Sequence, residues 1–137
     1  MFKILKILNS GTNVPEPEIF PCDVTIAAPA GSALSLNSDT GHLAIGEPYE
    51  TPFCVLAEDH KSGTARAMCY RITPDMILEA PVFGDPLKLY NGAGIILHSD
   101  PKHGLCGVSD SEDTRIATVY STNGAKKYGD KILIYFK

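Results

Sequence analysis

The chain contains no tryptophan. A sugar-binding platform built on exposed indole rings is therefore excluded, and its 11 aromatic residues are all phenylalanine or tyrosine. Basic runs are also missing. The 12 lysines and arginines are scattered, Lys126-Lys127 is the only adjacent pair, and the net charge is −4. A nucleic-acid binder usually presents a concentrated basic face, so no nucleic-acid partner is expected. Long apolar runs are absent as well. Met1 to Leu8 is the most apolar stretch at the start, but Lys6 interrupts it and Asn9 ends it. It is too short for a secretory signal core or a membrane span. The reading is a soluble protein made in a cytoplasm, with no membrane partner. No window of twelve residues carries a helical period, so long helices are not expected.

Cysteine is sparse: Cys22, Cys54, Cys69 and Cys106 in 137 residues. Two disulfides could be drawn from four cysteines in three ways. Three of the four sit inside apolar strand-like runs, which favours free buried thiols acting as small hydrophobes.

What the chain does have is turn chemistry and alternation. Its 12 glycines and 10 prolines favour many turns. One phrase recurs: Gly31-Ser32-Ala33-Leu34-Ser35-Leu36, Gly84-Asp85-Pro86-Leu87-Lys88-Leu89 and Gly129-Asp130-Lys131-Ile132-Leu133-Ile134. Each copy opens on a glycine that frees the backbone for a turn, then alternates as a half-buried strand does. Apolar residues make up 44% and charged residues 20%, which suits one globular domain with its own core.

Strands are expected at 24–28, 33–36, 42–45, 53–57, 65–72, 77–80, 87–90, 95–98, 104–108, 115–121 and 131–136. Their spacing of about ten residues fits a sandwich or barrel. Asn91-Gly92 and Asn123-Gly124 read as hairpin turns. Thr73-Pro74-Asp75 resembles a helix start, yet Pro81 follows closely, so a single turn or a strand is expected there. Residues 1–21 read as an N-terminal arm and linker. Phe2, Ile4 and Leu8 fall on one side of an extended strand, and Leu5 and Ile7 on the other, so residues 1–8 read either as a central strand or, more sharply, as an arm that docks on a neighbour. The Pro15-Glu16-Pro17 stretch is extended because proline turns its predecessor away from helix. Residues 22–137 form the body.

Several residue groups could carry chemistry, and each has a plainer explanation. His98, His103 and Cys106 are zinc-ligand types, but they lack a standard spacing and a fourth ligand. Cys54 and His60 form the nearest nucleophile–base pair in sequence, but they read as a strand and its exit loop. Asp110-Ser111-Glu112-Asp113 offers calcium-type oxygens without the spaced ligands of a calcium loop. Gly92-Ala93-Gly94 leads into a strand instead of a nucleotide-binding helix. Tyr70, Tyr90, Tyr120, Tyr128 and Tyr135 suit core or interface packing. No cofactor, metal site or catalytic set is expected.

Five segments together resemble the capsid decoration (head-stabilising, or cement) proteins of tailed bacteriophages. They are Phe2 to Gly11, Ala30 to Leu36 with Thr40-Gly41-His42-Leu43, Pro52 to Asp59, Tyr70 to Pro81, and Asn123 to Phe136. The segment His98 to Glu112 has no counterpart in that likeness. The resemblance implies an all-β, barrel-like (β-tulip) domain without enzymatic activity. It further implies a homotrimer on the outer capsid surface of a virion, at three-fold or quasi-three-fold sites, bridging subunits of the major capsid protein. Partner contacts would then fall on the arm, at Phe2, Ile4, Leu5, Ile7, Leu8, Asn9 and Thr12. A ligand- or glycan-binding β module of a tail or adhesin is the alternative reading.

Overall fold

The computed structural model describes residues 1–8, 15–100, 104–111 and 113–136. The protein is all-β. Among the described residues, eleven strands form one antiparallel sheet: β1 (Lys3–Ile7), β2 (Glu18–Pro21), β3 (Ala33–Leu36), β4 (Leu43–Ala44), β5 (Cys54–Leu56), β6 (Arg66–Arg71), β7 (Met76–Pro81), β8 (Gly94–Asp100), β9 (Gly104–Asp110), β10 (Ala117–Ser121) and β11 (Lys131–Tyr135). Their spatial order is β1-β7-β11-β10-β8-β9-β3-β5-β6-β2, with β4 beside β3. No helix among the described residues is long and apolar enough to cross a membrane.

The sheet curls without closing. Near its β1 end, the Phe2 N–H donates to the Gly31 carbonyl at 2.9 Å, just ahead of β3. At the far end of β7, Val82 forms a parallel bridge with Val108 of β9. The strands from β1 round to β3 thus wrap a main core, into which β7, β8, β10 and β11 send alternate residues such as Leu78, Leu97, Val119 and Ile134. A second, smaller core lies beyond β3 and β5, under β2, β4 and β6. The two strands between the cores serve both. Ala33 and Val55 face the main core, whereas Leu34, Cys54 and Leu56 face the smaller one. Burial on both faces explains why β5 reads as an unbroken apolar run. The four cysteines are free and buried.

Residues 1–21, expected as arm and linker, contain two strands of the sheet. β1 pairs with β7 of the same chain, and Glu18–Pro21 pairs with β6 as strand β2. Prolines are tolerated there because an edge strand needs donors on one side only. The expected alternation along β1 fails at one point. Ile4 opposes Leu78 and Lys6 opposes Ile77, which leaves Leu5 as an unpaired bulge residue. The extra residue resets the period. Ile7 therefore joins Phe2 and Ile4 against the main core, and Lys6 is exposed.

Other expectations change for local reasons. Residues 87–90 are not a strand, because Asp85 caps a 3₁₀ turn at Pro86–Lys88 with Pro86 in its first position. Residues 24–28 are not a strand, because the Asp23 carboxylate takes the Thr25 N–H at 2.9 Å and its hydroxyl at 2.7 Å. That side-chain turn competes with a ladder. Asn91-Gly92 joins the 3₁₀ turn to β8 and links no paired strands. Asn123-Gly124 does lie between the paired strands β10 and β11, and both residues have positive φ. Thr73-Pro74-Asp75 is a turn that leads into β7, with the Met76 N–H donating to the Thr73 carbonyl.

Candidate interaction surface

β1 owes its position to Gly31. That residue has φ +88°, and a Cβ there would lie 2.8 Å from Met1 Cβ and 3.0 Å from the Phe2 carbonyl oxygen. Only glycine allows the chain to pass so close in this conformation. Phe2 then packs inward, with its ring centroid 6.0 Å from that of Phe136.

The seven residues expected to contact a partner separate accordingly. Phe2 (3% exposed) and Ile4 (7%) are buried in the chain's own core. With β7 paired alongside, their apolar area is covered within this chain. Ile7 is half-buried against the same core. Leu5 and Leu8 are half-buried and belong to neither core. Asn9 and Thr12 lie outside the described residues.

β1 is one end of the strand path. Beside it runs a groove of about 370 Å³ lined by Phe2, Lys3, Ile4, Gly31, Val55 and Tyr70. Its walls come from β1 on one side and from β5 and β6 on the other. The opposite end of the path, β2, is protected differently. Pro17 precedes it and Pro21 is its last residue, a common way of blunting an edge. Arg71 clamps β2 to β6 by an ion pair with Glu18 at 3.2 Å, and its guanidinium lies 5.3 Å from the Phe20 ring centroid.

The chemical candidates are placed apart. The Cys54 thiol donates to the Cys69 sulfur; this bond, with burial second, pushes the Cys54 thiol above its ordinary range. A thiol held protonated is a poor nucleophile. His60 is buried and bonds through its backbone to Ala28 in both directions. The His98 ring stacks on Phe83, centroids 4.4 Å apart, and its carbonyl accepts from the Cys106 thiol at 3.8 Å. His103 lies outside the described residues, and among those described no three His, Cys, Asp or Glu side chains come together to hold a metal. In the acidic loop, Glu112 lies outside the described residues and the Ser111 hydroxyl accepts the Thr114 N–H at 3.1 Å.

No protein-family model and no curated protein sequence matches the chain.

Proposed function

We propose that this chain is a structural protein of a virion. It binds the outside of a tailed-phage head as a homotrimer at three-fold or quasi-three-fold sites, and ties subunits of the major capsid protein together. It is made in the host cytoplasm and works without catalysis or a cofactor. The observation that carries this reading is the asymmetry of the sheet's two ends. β2 is blunted by prolines, whereas β1 ends the path without one, beside an apolar groove, with Leu5 and Leu8 outside both cores. A proline-free edge next to an apolar groove leaves room for addition of a strand from a neighbouring subunit. Three such contacts in one trimer gain avidity, because the later engagements are intramolecular.

Phe2 and Ile4 stabilise the fold, so deleting the N-terminal residues would confuse unfolding with lost binding. The test is therefore the pair Leu5→Asp and Leu8→Asp in the full chain, mixed with expanded, undecorated heads and sedimented. Wild-type protein is expected to co-sediment to saturation and the double variant to bind at least about tenfold more weakly. Failure of the wild-type chain to bind any head, or a soluble particle of one chain's mass, would sink the proposal.

A further inference from the structure

A second surface is built from the connections at one end of the curled sheet. Two connections leave that end: residues 82–93 from β7 to β8, and residues 122–130 from β10 to β11. They meet because Pro81 pairs with Lys131. They are also laced together. The Thr122 N–H donates to Asn91 Oδ1 at 3.1 Å, the Gly129 N–H to the Val82 carbonyl at 2.7 Å, and the Val82 N–H to the Asp130 carbonyl at 3.0 Å. The rings of Phe83 and Tyr128 pack edge to face, 5.6 Å between centroids.

On these two connections stand Leu87 (72% exposed), Tyr90 (69%) and Tyr128 (68%), the three most exposed large apolar side chains among the described residues. Single exposed apolar residues are ordinary. Three on one laced surface, two of them tyrosines, match the composition of interface centres. The same surface carries Lys88, Lys126 and Lys127, all exposed, and none forms an ion pair with a described residue. The carboxylates of these connections are turned onto their own backbone. Asp85 accepts the Leu87 N–H at 3.0 Å, and Asp130 accepts the N–H groups of Lys126 and Lys127 at 3.0 and 2.9 Å. The acids hold the turns and stay ionised, so the two connections carry three lysines against two carboxylates, a net charge of +1 on a chain of net charge −4, and the three lysines are exposed. At the border near Tyr90, Asp113 and Arg115 supply one charge of each sign.

We infer that this tyrosine–lysine end docks on an acidic protein surface. Net-negative elsewhere, the molecule would approach such a surface with this end leading. A protein is favoured over nucleic acid because the patch has three lysines and no arginine on either connection, few cations for tracking phosphates, and much of its exposed area is apolar. The inference is independent of the head-binding proposal, since it does not use β1.

The probe is an immobilised random glutamate–tyrosine copolymer, with a short DNA duplex and phosphatidylserine vesicles as competitors for the same assignment. The full chain is expected to bind the copolymer at low salt and to weaken as salt rises past about 0.15 M. The triple variant K88E/K126E/K127E and the double variant L87S/Y90S are each expected to weaken binding at least about tenfold at an unchanged thermal midpoint. The inference is overturned if the copolymer is not bound, if both variants bind as the wild type does, or if DNA or vesicles are preferred. A chain that binds copolymer but no phage head would leave this surface standing and remove the head-binding proposal alone.

Discussion

A methyl group at Gly31 faces two penalties. Its φ of +88° is left-handed, and Met1 and Phe2 lie within 3.0 Å of the new Cβ. Gly41 faces only the first, having φ +71° and nothing within 4 Å. The conformational part costs about 1–2 kcal/mol for an L-residue. Gly31→Ala is therefore expected to lower the unfolding free energy by about 2–4 kcal/mol, and Gly41→Ala by about half as much, in denaturant titrations followed by tyrosine fluorescence. Equal losses would show that the contact with Met1 and Phe2 does not constrain the fold. At this scale the sequence is partly legible. Gly31 stands out as a turn residue opening an alternating run. That β1 is the segment pressed against it is not visible, because the approach joins residues distant in sequence. The bulge at Leu5 is hidden for a similar reason. Only the partner strand β7 determines which residue of β1 is left unpaired, although an exposed lysine at position 6 among apolar neighbours is a weak sign that the strict period fails.

Elements were most legible where pattern and burial agree. Nine of the eleven expected strand segments contain or overlap an observed strand, because their alternation records which face is covered. The misses come from side chains that bond to nearby backbone. Asp23 and Asp85 each capture an amide two residues ahead, and both divert a run that otherwise alternates. β2 does not stand out in the sequence because prolines flank it, a penalty that vanishes on an edge. The turn before β11 gives a prediction of this kind. Asp130 accepts two backbone N–H groups, from Lys126 and then Lys127, and these bonds hold its carboxyl below the ordinary aspartate range. A depressed folded-state pKa means that the contribution is complete above the unfolded value, about pH 4, and fades as pH falls through the folded one. The stability gap between wild type and Asp130→Asn should thus be constant at neutral pH and shrink below about pH 4. Denaturant midpoints across that range measure it. A gap that stays level down to strongly acid solution would mean that the carboxylate's charge does not hold this turn.

For the whole molecule, the consequential feature is one sheet with two cores and shared walls. The size of the domain, its all-β class and its lack of a long helix follow from composition and period. The division into a main and a smaller core does not, since it depends on β3 and β5 being covered on both faces. The candidate surface is legible to the same extent: β1 stands out in the sequence as unusually apolar, whereas its pairing with β7, which buries Phe2 and Ile4, does not. Shared strands make a prediction about cooperativity. Leu43 is fully buried in the smaller core, and Ile134 is fully buried in the main one. Truncating either to alanine should cost about 2–5 kcal/mol. If β3 and β5 couple the cores, both variants shift one unfolding transition, and tyrosine fluorescence and far-ultraviolet circular dichroism report the same midpoint. Should Leu43→Ala instead split the curve, with the β2–β4–β6 region melting first, the smaller core would be a separate folding unit. The groove beside β1, whose far wall is β5 and β6, would then vary with that unit's stability.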